Sequence, residues 1–360
     1  MGQPAQRLSV ATGPAPPVTA SYRTNLVTAL LGTWFTIGLF LDAWAHNNVP
    51  RLETFFTPWH AVFYSGFAAT AAWIGWTVRD ALRTGRPDFP AMPTGYASSA
   101  VAVAGFAVAG GGDYVWHTVF GIEQNIDILF SPTHVALIAT MLVIVTTPVR
   151  SSWADRSLPA DAGLRRLVPA VLSAALATTL VLLFLQYANA IVFDSANIVG
   201  ALSTVDEGFT ASLVTSVAVT NLVLLLPMLT LARRWVLPPG SATVLYSAVG
   251  ALSGAVHGFR NLATVLALLA AGGCVDVLAR WLRPAPSRLV RYRAFGALAP
   301  LVTWTIFIAT AYFAAGPVAS APEVGGGHPE AVVELYAGVP LVQAGLGVLL
   351  AVLLVPSRDS

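Results

Sequence analysis

The chain has 360 residues, 56% of them hydrophobic and 10% charged, with a formal net charge of +2. Soluble domains carry about 25% charged residues. This composition, with a mean hydropathy of +0.71, therefore excludes an ordinary soluble globule and points to the bilayer as solvent. The lone Cys274 excludes an internal disulfide and any cysteine-rich zinc or iron–sulfur site.

In chain order, residues 1–22 are rich in Pro and Ala without an apolar run. They read as a disordered tail and not as a cleavable signal peptide. A helix needs about 20 apolar residues to cross a bilayer. Ten stretches qualify as spans: 25–46, 59–79, 96–117, 132–149, 167–192, 209–232, 241–258, 261–280, 294–315 and 333–355. The expected fold is an all-α integral membrane protein built from helical hairpins. Residues 23–150 form two hairpins, 151–235 a third, and 236–360 four further spans.

Loop charges orient these spans. With a cytoplasmic N-terminus, every Arg except Arg51 and Arg260 falls on the inner side, and the chain has no Lys. That asymmetry is the one the positive-inside rule predicts. A miscounted span would have scrambled it. Both termini are then expected on the cytoplasmic side of the plasma (inner) membrane. The basic residues follow the inner loops, so nucleic acid is not an expected partner; the lipid bilayer is.

Two hairpins share a polar pattern. The first span ends in Asp42-Ala43-Trp44-Ala45-His46, and the second opens with Phe56-Thr57-Pro58-Trp59-His60. The third span ends in Asp113-Tyr114-Val115-Trp116-His117, and the fourth opens with Phe130-Ser131-Pro132-Thr133-His134. An acid stands seven residues before the second His in each, Glu53 and Asp127. A third stretch looks like a worn copy: Phe184-Leu185-Gln186 echoes Phe40-Leu41-Asp42, with Ala190 and Leu213 at the His positions.

The spacing explains how each set could bind a metal. Asp42 and His46 are four apart and share a helical face, as do Asp113 and His117. Thr57 and Ser131 read as N-caps, with Pro58 and Pro132 as first helical residues. His60 and His134 then sit near the third helical position. Each hairpin brings a carboxylate and one His from a helix end toward a second His at the next helix start. Three ligands with an open position suit an exchangeable or reactive centre. Any one of these residues taken alone reads as an interfacial or hydrogen-bonding group. Four of the six His in two matching triads do not, because ionisable groups in spans are costly. Glu53 and Asp127 are candidate outer partners that orient ligands or carry protons.

Other polar residues have structural readings. His257, Arg260 and Asn261 suit a turn that satisfies its own helix ends, though they could line the same outer cavity. His328 follows three glycines in a loop, and Asp276 with Arg280 suits an ion pair at i, i+4. Trp59, Trp73, Trp76 and Tyr114 suit interfacial belts or helix packing. No phosphate-binding Gly loop, HExxH or Ser/His/Asp set is present.

At the first triad the sequence resembles the C subunit of the particulate methane monooxygenase and ammonia monooxygenase family. That subunit carries Asp-x-x-x-His, a short loop, then Asp-x-x-Phe-Thr-Pro-x-His. Here Asp42, His46, Glu53, Phe56, Thr57, Pro58 and His60 match it. The resemblance spans roughly residues 25–150 and implies a membrane copper site at Asp42, His46 and His60. A second family site uses Asn, His and His; Asp113, His117 and His134 stand in its place, with Asp for Asn and a longer loop. The family's subunit has fewer helices and works beside two others, which implies other membrane subunits, or a homo-oligomer, as partners.

Three functions follow as expectations. The first is a copper-dependent monooxygenase, or its metal-bearing subunit, acting on a small apolar substrate; two His and a carboxylate suit iron or zinc equally. The second is a transporter or metal-handling protein, since repeats and intramembrane charges occur there too. The third is a structural subunit with a vestigial site.

Overall fold

A computed structural model describes residues 18–49, 57–83, 92–121, 129–203, 207–315 and 332–357. Glu53, Asp127, His328 and the 1–17 part of the expected tail lie outside the described residues. Within them the chain is helical, with no strand. The helices are α1 (Tyr22–Asn48), α2 (Pro58–Arg83), α3 (Tyr96–Phe120), α4 (Pro132–Val145), α5 (Thr147–Ala154), α6 (Leu164–Phe184), α7 (Ser195–Ser203), α8 (Glu207–Ala232), α9 (Ser241–Val256), α10 (Leu262–Leu282), α11 (Leu289–Ala314) and α12 (Val333–Leu354).

By length and apolar content, seven segments can cross a membrane: α1, α4 with α5, α6, α8, α10, α11 and α12. This is the pattern of a multi-pass membrane protein. Helices α2 and α3 are long enough, at 26 and 25 residues, but Trp, Tyr, Gly and Asp dilute their hydropathy. Helix α9 is apolar and has 16 residues.

Two expected spans end differently from their sequence reading. The fourth is broken after Val145, where Pro148 cannot donate to the helix ladder. The freed carbonyls find other donors: Thr147 Oγ1 donates to Ile144 O at 2.6 Å and Ser173 Oγ to Val145 O at 2.6 Å. The fifth was expected to run to residue 192, but α6 stops at Phe184 and two 3-10 turns follow, Gln186–Ala188 and Ala190–Val192. Thr220 accepts from the Ala190 N–H at 2.8 Å, and Asn261 Nδ2 donates to Ile191 O. Polar side chains of neighbouring helices thus satisfy a buried, irregular backbone, as a span interior requires. Gln186 and Ala190 share no helical face, so this stretch does not repeat the geometry of Asp42 and His46.

The packing places the first two hairpins together. Helix α1 lies along α2 and α3 along α4, while α1 also rests on α6 and α9 of the remaining bundle. Phe35, Phe63, Phe106, Met141 and Leu180 form the core between these helices. A larger core, including Leu225, Trp235, Tyr246, Leu268 and Phe295, joins α6 and α8 through α11.

The Arg-bearing ends are tied by hydrogen bonds. Arg150 donates to Ser98 Oγ at 2.5 Å and Val143 O at 2.6 Å, and Tyr96 OH donates to Asn25 Oδ1 at 3.0 Å. The expected Asp276–Arg280 ion pair is replaced by a cap. Asp276 accepts from the N–H groups of Ala242 and Thr243 at 2.9 and 3.0 Å, and from Thr243 Oγ1 at 2.6 Å. A buried carboxylate is better placed against a helix N-terminus than against a cation at i+4 that reaches solvent. Asp276→Ala is expected to cost about 2 kcal/mol by leaving these donors unpaired, read as a lower unfolding midpoint in detergent.

Candidate metal centres

Local structure delivers the six candidate ligands as their spacing predicts. Helix α2 starts at Pro58, and the His60 N–H donates to Thr57 Oγ1 at 3.1 Å. Helix α4 starts at Pro132, and the His134 N–H donates to its N-cap, Ser131 Oγ, at 3.3 Å. Asp42 and His46 occupy the last turns of α1, Asp113 and His117 those of α3. Trp44 and Trp59 hold the α1 and α2 ends together edge to face, with ring centroids 5.6 Å apart.

The result is two triads, each with its donor atoms within 4.8 Å of one another. In the first, Asp42 Oδ2 lies 3.8 Å from His46 Nε2 and 3.3 Å from His60 Nε2. In the second, Asp113 Oδ2 lies 3.5 Å from His117 Nε2, and its Oδ1 lies 3.6 Å from His134 Nε2. A charge-assisted N–H···O bond closes to about 2.7–2.9 Å. Ligands bound at about 2.0–2.2 Å in a tetrahedron stand about 3.4 Å apart. The observed spacings suit ligands around one ion, and the closest His–Asp pairs, His60–Asp42 and His117–Asp113, are also within reach of a direct hydrogen bond.

Charge balance points the same way. Asp42 and Asp113 are 8% and 3% exposed. Among the described residues their ion-pair partners are His alone. A buried carboxylate without a cation is expensive. A metal cation would neutralise it.

The second triad carries its own supporting bonds. Ser131 Oγ is 2.6 Å from His134 Nδ1, His117 Nδ1 is 3.3 Å from Gly121 O, and Thr133 Oγ1 donates to Asp113 Oδ1 at 2.8 Å. The Gly121 carbonyl can only accept, so its bond puts the proton on His117 Nδ1 and leaves the Nε2 lone pair toward the triad; the Ser131 hydroxyl orients the His134 ring with either tautomer. Nothing in the sequence reading singled out Ser131 as a ring partner or Thr133 as a carboxylate partner. The signal was present, because cap residues stand within three positions of His134. Ser131→Ala is expected to weaken metal binding at this triad about tenfold and to leave the first triad unchanged, as read by metal titration.

Beneath the triads lies a layer of rings. Phe35 and Phe106 each stand seven residues, two helical turns, before Asp42 and Asp113, and Phe63 stands three after His60. Phe35 is 5.3 Å from Phe63 and 5.0 Å from Phe106; Phe67 is 4.4 Å from Phe106. These rings fill the space between α1, α2 and α3, one to two helical turns from both centres toward the Arg-bearing ends.

The weaker candidates resolve as structure. His257 ends α9 as its C-cap, and Asn48 Nδ2 ties α1 to Val256 O at 2.9 Å. Trp73 Nε1 donates to Thr28 Oγ1 at 3.0 Å inside the bundle, while Trp76 is exposed with Arg79 over its ring. Comparison with protein-family models, with curated proteins and with solved structures gives no match.

Proposed function

We propose that the chain is a multi-pass membrane metalloprotein with ten spans and both termini cytoplasmic. It holds two transition-metal ions near its non-cytoplasmic face. Asp42, His46 and His60 ligate the first and Asp113, His117 and His134 the second, with copper as the metal. On this reading it is an oxidoreductase, or the metal-bearing subunit of one, acting on a small apolar substrate. The observation that carries the reading is the convergence of two buried carboxylates and four imidazoles at ligand spacing. The resemblance of the first hairpin to the monooxygenase C subunit supplies the choice of copper.

Bound copper would supply one-electron redox chemistry. The chain's own residues hold and shape the site. Ser131 and Thr133 orient two ligands, and the outermost ligands, His46 and His134, keep 21% and 24% side-chain exposure, which leaves an approach from one side. The Phe layer excludes water from below and speaks against a transport path, which needs an opening through the inner half. The ligands sit opposite the ends that carry Arg23, Arg79, Arg83 and Arg150, which supports the orientation.

Metal analysis of the purified full chain, reconstituted with copper, tests this. Two ions per chain are expected, and no bound copper in folded protein would sink the proposal. Uptake of copper into protein-loaded vesicles would favour transport instead.

A further inference from the structure

The turn from α10 into α11 concentrates positive charge. Five of the chain's 19 arginines stand in residues 280–293: Arg280, Arg283, Arg288, Arg291 and Arg293. No acid follows Asp276 until Glu323, and Asp276 already accepts from the N–H groups at the start of α9. Among the described residues the one arginine ion pair is Arg79 with Asp80, so none of the five has a carboxylate there. Arg280, Arg283, Arg288 and Arg291 are exposed, and the Nε of Arg293 is buried without a hydrogen-bond partner.

Arginine is expected at one end of membrane spans, and at the C-terminus of α10 it also suits the helix dipole. Neither reason covers the start of α11. Arg288 is its N-cap and makes no side-chain cap bond, and its first turn holds no acid. Arg288 and Arg291 thus set positive charge against the positive end of a helix, where an anion belongs. Arg283 holds a φ of +47°, a region that suits Gly and costs other residues.

The arginines also end an apolar row. Helix α10 exposes Leu266, Ala270, Cys274, Val277 and Trp281, whose spacing of three and four puts them on one face. Val277 and Trp281 are 69% and 71% exposed, and Val290 at the start of α11 is 82% exposed. Both helices are long and apolar enough to cross a membrane. The row then faces acyl chains, with Trp281 at the boundary where indoles meet headgroups.

We infer that this end of α10 and α11 is a docking surface for an anionic phospholipid. Its phosphate lies among Arg280, Arg283, Arg288 and Arg291, and an acyl chain follows the row that ends in Trp281. Guanidinium groups match phosphate oxygens in charge and geometry. An acidic protein would match the arginines and leave the adjoining apolar row without a partner; a phospholipid matches both. The inference is independent of the metal centres and rests on α10 and α11 crossing a membrane.

Titration of phosphatidylglycerol into the full chain in neutral detergent, followed by native mass spectrometry beside phosphatidylcholine, tests it. Phosphatidylglycerol should bind in preference. Each Arg near a membrane surface is worth a factor of about five in affinity for anionic lipid. Arg283→Gly removes one charge and puts at the left-handed position the residue that suits it, so the variant should fold and lose about fivefold. Arg288→Gln with Arg291→Gln should lose about 25-fold. Arg79→Gln with Arg83→Gln, on α2, should leave the preference as it is. Equal affinity for the two lipids overturns the inference, as does an equal loss from the Arg79 and Arg83 pair. Displacement of the lipid by equimolar inorganic phosphate, which marks a free-anion site, or by polyglutamate, which marks an acidic protein surface, overturns it too.

Discussion

Asp113→Leu is expected to change the sign of its effect on stability with metal. In the metal-loaded protein it should remove one of two ions and the stabilisation that ion provides. A ligand at 1,000 times its dissociation constant is worth about 4 kcal/mol. In metal-free protein the wild-type carboxylate is 3% exposed and has only His as ion-pair partner among the described residues. Without a metal that carboxylate keeps the Thr133 bond and its imidazole contacts, but it also carries a desolvation cost that an apolar side chain does not. The variant should therefore melt no lower than wild type without copper and clearly lower with it. A structural His–Asp pair predicts otherwise. Losing the Thr133 bond and the His contacts would then destabilise both states alike. Melting curves with and without copper, beside metal analysis, separate the two. Asp42→Leu should repeat the crossover at the first centre, with 8% exposure and the same kind of partners. Asp113→Asn keeps an oxygen ligand and removes the charge, and should retain the second ion at lower affinity.

The grouping of the two Asp–His–His triads was legible because it rests on local rules. An i, i+4 pair shares a face in any helix, and Thr57-Pro58 or Ser131-Pro132 starts one wherever it stands. The long apolar runs also declare themselves, since burial in lipid requires them. What escaped the sequence depends on which helices meet. By sequence the span from 167 runs to 192, because Leu185, Ile191 and Val192 continue its apolar run. Its end at Phe184 is set by Thr220 and Asn261, which offer the backbone partners outside the helix. The spacing pairs Asp276 with Arg280, its neighbour on the same helix, whereas α9 supplies a better partner across the bundle. Phe35 and Phe106, each seven before its Asp, extend the correspondence of the two hairpins into the core. An apolar match inside an apolar helix carries no signal until burial singles it out.

Close helix approach gives the second large effect. A Cβ added at Gly38 would meet Phe63 Cα at 2.7 Å, and one added at Gly66 would meet Phe35 Cα at 2.7 Å. Both obstacles are backbone, which does not swing aside as a side-chain tip does. Each glycine lets one helix of the first hairpin rest directly on the other, the small-residue packing by which helices associate in lipid. Gly38→Val and Gly66→Val must then push α1 and α2 apart, at a cost of about 3 kcal/mol by overpacking. The functional loss should exceed the loss of stability. Asp42 and His46 are on α1 and His60 is on α2, so the separation of these helices sets the ligand spacing. A site loosened by about 1 Å no longer holds its geometry. Both variants are expected to lose the first ion and keep the second, whose ligands lie on α3 and α4. Gly75, on the same helix as Gly66, meets nothing within 4 Å of an added Cβ. Gly75→Ala should retain both ions and gain up to about 1 kcal/mol of helix propensity. If Gly38→Val and Gly66→Val bind two ions as wild type does, helix separation does not set the first centre.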